Sequence, residues 1–283
     1  MGKATGFIRL MRPINCAMMG FAVFVGAVLA HPVFSDFAWL NILYGLFTGF
    51  MLTAASMTIN DYYDREIDAI NEPDRPLPSG NVTSKEVLVL VFALSVVGFF
   101  FAYLTSFLCL VVAVISWFVV VTYVTVGKRS GLPGNLLVST CVAIPFVYGS
   151  LIMLNQVPLS VLLFTLMAFL SNTGREITKG IVDVKGDKAE GIGTLAVHYG
   201  EKTAAIVAIL FYMSAVALTP LTIVLNLVSI WFIPIVLVAD IGFVWCSVLL
   251  LRNPSRENAR KIKNRVLFLF IVGLLAYLVG VFR

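Results

Sequence analysis

From Val87 through Gly127 the chain carries no charged side chain, and comparable apolar runs recur along its 283 residues. A helix needs about 20 apolar residues to cross the ~30 Å hydrocarbon layer of a bilayer. In that medium every backbone polar group must be satisfied internally, so only helices or a closed barrel can span it. These runs are continuous, without the alternation of a barrel strand, and so predict helices. The overall balance agrees: 60% of residues are hydrophobic, 12% are charged, and the mean hydropathy is +0.98. The fold class read from this is all-α, a polytopic membrane helical bundle forming a single domain over residues 1–283.

Nine transmembrane helices are expected, at about 14–31, 37–60, 86–104, 108–127, 136–153, 158–174, 203–225, 229–251 and 266–282. With the N-terminus cytoplasmic, 19 of the 20 Lys and Arg residues fall in cytoplasmic segments, and only Arg283 falls opposite. That is the bias of the positive-inside rule, and a missing or invented span would destroy it. The net charge of +5 thus follows from topology and implies no nucleic-acid partner. The basic run between Arg252 and Arg265 suits the headgroups of membrane lipids. Cys16, Cys109, Cys141 and Cys246 lie in spans without paired spacing and read as packing residues. No cleavable leader is expected, because the first apolar run continues to membrane-crossing length.

Against this background the acids are placed oddly. Six of the fifteen lie between Asp61 and Asp74, and five between Glu176 and Glu201. Both groups follow a span on the cytoplasmic side, and the plan recurs four spans later, which hints at two related halves. Asn60, Asp64 and Asp68 are spaced by four and line one face of a continuing helix, with Asp61 at its edge. Arg175, Lys179, Asp183 and Asp187 repeat the spacing, bordered by Glu176. Like charges at such intervals repel, and more strongly near a membrane, unless cations sit between them. Oxygen-only ligands point to a hard ion, Mg²⁺, which binds through one or two carboxylates, waters and phosphate. The two Asp clusters are the candidate cation sites, with phosphate between them. Arg75, Lys128, Lys179 and Arg175 are the candidate phosphate-binding cations.

The stretch "NDYYDREID" with "DRPLPSG" after it, and "DVKGD" with "GIGTLAVHYG", resemble the two motifs of the UbiA superfamily of intramembrane prenyltransferases. The likeness runs from "RPIN" through the ninth span. Two departures stand out: Gly180 occupies a position where many members have Asp, and Tyr123 precedes Lys128 by five residues where the family pattern has four. The resemblance implies an allylic prenyl diphosphate held by Mg²⁺ between Asn60, Asp64 and Asp68 on one side and Asp183 and Asp187 on the other. Asp61, Asp64, Asp68, Asp183 and Asp187 are then the candidate catalytic residues. Asp61 would orient a metal-bound water or a basic partner. Asn15, Asn60 and Tyr123 would line the substrate pocket, at the cytoplasmic face of the cell membrane. The segment "GREITKGIVDVKGDKAEGIGTLA" is most similar to the branch making archaeal ether lipids, which implies a lipid acceptor, geranylgeranylglyceryl phosphate. The alternative acceptor is an aromatic quinone precursor, disfavoured because no Lys or Arg lies between Arg12 and Arg65. A transporter with acidic gates is more remote, since its carboxylates belong near the midplane. Here only Asp240 lies in mid-span.

Overall fold

The computed structural model describes residues 2–189 and 191–282, apart from the side chains of residues 67, 70 and 71. All regular structure among them is helical: α1 (Lys3–Met11), α2 (Pro13–Ala30), α3 (Trp39–Tyr63), α4 (Arg65–Asn71), α5 (Ser84–Thr105), α6 (Phe107–Thr125), α7 (Leu132–Leu154), α8 (Leu159–Ala189), α9 (Leu195–Val224), α10 (Phe232–Arg252) and α11 (Arg256–Val281). The nine expected spans correspond to α2, α3 and α5–α11. Eight helical segments are apolar and long enough to cross a membrane. The ninth, α8, is 31 residues long, and its charged second half dilutes its hydropathy. The protein is an integral, multi-pass membrane protein.

The interruptions have local causes. At the start of α5, Thr83 forms a capping box with Glu86, whose carboxylate accepts from the Thr83 backbone N–H at 2.8 Å. Ser106 adopts extended backbone between α5 and α6, and its Oγ accepts from the Cys109 N–H at 3.1 Å. Gly200 at φ 82° and ψ 162° breaks α9 after its first turns, so the apolar rod proper begins there.

The chain divides into two compact units. The first comprises residues up to Ala27, Val33–Thr125 and Ile144–Gln156. Within it α3 packs on α1, α5 and α6. Its α2 meets the second half of α7 almost backbone to backbone: a Cβ on Gly149 would overlap the Val23 carbonyl, and one on Gly26 the Phe146 backbone. Small residues permit such approach, which is the main source of helix attraction once lipid removes the hydrophobic drive.

The second unit comprises Val28–Pro32, Val126–Ala143 and the chain from Val157 on. In it α8 packs on α9 and α11, and α10 on α9 and α11. Its core includes Ile177, Ile181, Tyr212, Leu250 and Ile262. Each unit carries one of the two acidic motifs.

Candidate active site

In the first unit the acids sit where α3 gives way to α4. Only Asp64 separates the two helices, at φ −84° and ψ −1°. The backbone bonds nevertheless run on in steps of four: Asp64 N–H to Asn60 O at 3.0 Å, Asp68 N–H to Asp64 O at 2.8 Å, and Glu72 N–H to Asp68 O at 2.8 Å. The face expected from the spacing therefore exists. Asn60 Nδ2 donates to Asp64 Oδ2 at 2.9 Å, which leaves the amide Oδ1 as an oxygen ligand of the kind a hard cation takes. Asp61, Asp64 and Asp68 are only 5%, 8% and 6% exposed.

Buried carboxylates need compensation, and two arginines supply it. Arg12 Nη2 lies 2.6 Å from Asp61 Oδ1. Arg75 Nη1 lies 2.6 Å from Asp68 Oδ2 and 3.8 Å from Asp61 Oδ1. Burial alone would lower the Arg75 pKa, but the hydrogen bond and charge of Asp68, with Asp61 and Glu72 behind, hold it above its usual range. Both arginines are placed by a small apolar cluster of Leu10 on α1, Val82 in the loop and Val87 on α5, with Phe7, Tyr62 and Leu77 against it. An ion pair of Lys3 with Glu86, at 2.6 Å, ties α1 to α5 as well. The loop itself is closed by turns, Ser79 N–H to Arg75 O at 3.0 Å and Val82 N–H to Pro76 O at 3.1 Å. A shallow cavity of about 390 Å³ adjoins α4 and this loop, lined by Arg65, Glu66, Ala69, Leu77 and Thr83 among others, but not by Asp61, Asp64 or Asp68.

In the second unit α8 continues unbroken through the motif, so Arg175, Lys179, Asp183 and Asp187 share a face. Asp183 and Asp187 are half-buried. Glu176 holds both neighbouring cations: its Oε1 accepts from Arg175 Nη1 at 3.0 Å, and its Oε2 lies 3.6 Å from Lys179 Nζ. Arg175 Nε is buried without a hydrogen-bond partner among the described residues. The rotation of α8 is set by its neighbours. Asn172 Nδ2 and Thr173 Oγ1 donate to Ser139 Oγ on α7 at 3.1 and 2.8 Å. Thr178 bonds the Tyr212 hydroxyl at 2.9 Å, and Arg256 Nε donates to Val182 O at 3.0 Å. After the motif, Ile192 N–H returns to Asp187 O at 2.8 Å and Gly193 N–H reaches Arg129 O at 3.4 Å. This ties the turn bearing Lys128 to the loop that follows Asp187.

Other expected residues stand apart. Asn15 is exposed in the first turn of α2, Tyr123 is half-buried in the last turn of α6, and Lys179 is exposed. Lys128, Asp64, Asp187 and Tyr123 each make a further contact within the protein. Glu190 lies outside the described residues. Asp240, without a partner in sequence terms, accepts from Thr219 Oγ1 at 2.7 Å. Arg12 and Glu176 were not among the candidate site residues read from the sequence. Arg12 is the last basic residue before a long stretch without one, and Glu176 sits beside Arg175 and three before Lys179.

Among the described residues no three His, Cys, Asp or Glu side chains gather as a closed metal cage. Mg²⁺ seldom asks for one: it keeps several waters and takes one or two carboxylates with substrate phosphate. In the first motif two buried carboxylates, Asp64 and Asp68, with the amide oxygen of Asn60 beside them, suit such an ion in kind and number.

The sequence matches the model of the UbiA prenyltransferase family over residues 19–274. It is 33% identical over 274 residues to a digeranylgeranylglyceryl phosphate synthase of Methanosphaera stadtmanae, covering 97% of this chain and 98% of that one. A solved structure described as giving insight into digeranylgeranylglyceryl phosphate synthase in membranes superimposes with a TM-score of 0.88, at 30% identity over 99% of both chains. A UbiA homologue from Archaeoglobus fulgidus, solved with GPP and Mg²⁺, shares the fold at a TM-score of 0.71 and 15% identity, over 96% of this chain and 99% of that one.

Proposed function

The chain belongs to the UbiA prenyltransferase family, and from that premise we propose that it transfers a geranylgeranyl group from its allylic diphosphate to the free hydroxyl of geranylgeranylglyceryl phosphate. Residues 1–283 act as one domain, at the cytoplasmic face of the cell membrane. The observation that carries this reading is the set of three buried carboxylates at the end of a membrane helix, Asp64 bonded to Asn60 and Asp61 and Asp68 paired with Arg12 and Arg75. Such a set serves a polyanion accompanied by a divalent cation, and not a neutral solute.

Asn60, Asp64 and Asp68, and on α8 Asp183 and Asp187, hold Mg²⁺ against the diphosphate. Bound Mg²⁺ supplies charge neutralisation of the departing pyrophosphate. Arg75, Lys128, Arg175 and Lys179 donate to phosphate oxygens. Asp61 holds its basic partners in place. Asn15 and Tyr123 line the substrate pocket, and the apolar spans keep water from the allylic carbon. As the C1–O bond to diphosphate breaks, the acceptor oxygen bonds C1 and its proton passes to the released pyrophosphate. The archaeal lipid acceptor is supported by the name and full-length match of the M. stadtmanae relative.

The test uses purified protein in nanodiscs with Mg²⁺ and radiolabelled geranylgeranyl diphosphate, offering geranylgeranylglyceryl phosphate or 4-hydroxybenzoate. The expected result is a Mg²⁺-dependent labelled diether, abolished in Asp64→Asn and Asp183→Asn variants that still elute as folded protein. Label only in the aromatic product would overturn the acceptor, and unchanged turnover in either variant would overturn the metal assignment.

A further inference from the structure

One charged group of the first unit is left without a task by this chemistry. Arg12 joins α1 to α2 in the left-handed region, at φ 52° and ψ 65°, a conformation disfavoured for any residue with a Cβ. Its carbonyl accepts from the Asn15 and Cys16 N–H groups at 2.9 and 3.3 Å, so the strained joint also starts α2. Its guanidinium reaches 49 residues along the chain to Asp61 at 2.6 Å, with Nη1 donating to Met57 Sδ at 3.5 Å. Observed strain held by a specific partner at a functional site calls for an explanation.

The explanation lies in how two guanidiniums share two carboxylates. The Asp61 Oδ1 atom that Arg12 holds at 2.6 Å lies 3.8 Å from Arg75 Nη1. That same Arg75 nitrogen lies 2.6 Å from Asp68 Oδ2. Asp61 is 5% exposed and cannot stay charged without a cation at contact distance. Were Arg12 absent, Arg75 is the cation at hand, and a shift of about 1 Å would bring it to charge-assisted hydrogen-bonding distance. That shift draws it away from Asp68 and from any anion held there.

We propose that Arg12 is a positioning residue: by satisfying Asp61 it keeps Arg75 available to an anionic ligand. It touches neither substrate in this scheme. The inference rests on the diphosphate-binding reading given above, and it assigns to Asp61 the anchoring of Arg12 in place of orienting a metal-bound water.

The test is a double-mutant cycle on binding, free of turnover. Geranylgeranyl thiodiphosphate, an unreactive analogue, is titrated calorimetrically into nanodisc protein at saturating Mg²⁺. Four proteins are compared: wild type, Arg12→Gln, Asp61→Asn and the double variant. Arg12→Gln is expected to weaken binding roughly tenfold in the presence of Asp61 and by less than about twofold once Asp61 is Asn. Arg12→Lys, which keeps the charge but not the fork, is expected to fall between and carries the cycle if the Gln variant does not fold. Equal losses with and without Asp61 would make Arg12 a direct ligand of the diphosphate and overturn the positioning role. Unchanged binding in Arg12→Gln would overturn it as well. A wild type that does not bind the analogue would instead refute the diphosphate reading itself.

Discussion

Arg75→Gln offers a sharp test of the first motif, because it predicts a gain where a loss is the simple expectation. The Arg75 guanidinium lies 2.6 Å from Asp68 Oδ2. A divalent cation that ligates Asp68 through Oδ2 competes with it. Hydrogen bonds to charged groups contribute about 1.5–3 kcal/mol. The Arg75 side chain is 34% exposed, which places its pair near the lower end, about 1.5 kcal/mol. Removing this competitor should therefore tighten divalent-ion binding by about tenfold in the absence of diphosphate. The same substitution deprives the diphosphate of a donor, so its affinity should fall by a comparable factor. The first half is measured with Mn²⁺ as a paramagnetic probe, counting free ion as it is titrated into nanodisc protein, with Mg²⁺ as competitor. Thermal stability without divalent ions should drop, and added Mg²⁺ should restore more of it than in the wild type. Mn²⁺ affinity that is unchanged or weaker in the variant would refute the reasoning, since Arg75 would then not be competing for Asp68.

Two further outcomes probe the scaffold. Gly149→Ala forces a Cβ into the Val23 carbonyl where α2 and α7 touch, and should destabilise by about 1–3 kcal/mol, read as a lowered melting temperature in detergent. Tyr212→Phe removes the 2.9 Å bond to Thr178 from a fully buried ring while Thr178 keeps its own bond to Gly174 O; a loss near 1 kcal/mol with prenyl transfer retained is expected.

The helices were legible because lipid imposes a simple rule on the backbone, and apolar length records it. The span expected at 37–60 is α3, at Trp39–Tyr63, and that at 86–104 is α5, at Ser84–Thr105. The motif faces were legible for a related reason: intervals of four become one face wherever the helix persists, and it persists through Asp64 and along all of α8. The extent of α8 was not legible. Its apolar span was expected to end near residue 174, and how far the helix runs beyond that to Ala189 depends on contacts from other elements, among them Ser139, Tyr212 and Arg256 at Thr173, Thr178 and Val182. The partner of Asp61 was hidden in the same way. Arg12 lies 49 residues earlier, across a left-handed joint that no periodicity announces. Sequence spacing speaks for neighbours on one helix and is silent about ion pairs that tertiary packing creates.

The unbroken course of α8 also determines which changes of length the chain can absorb. At 31 residues the helix extends about 46 Å, well beyond a hydrocarbon layer of about 30 Å, and its far end bears Asp183 and Asp187. Their bearing is thus counted off in residues from the point where Asn172 and Thr173 grip Ser139. One residue inserted or deleted between Thr173 and Asp183 would swing both acids about 100° around the axis. Substitutions along that stretch leave the bearing alone, and extra residues near Gly191 would be taken up by the loop. Apart from Arg175, Glu176, Thr178 and Lys179, lineages of this protein should therefore vary in letter but scarcely in length from the grip to the motif.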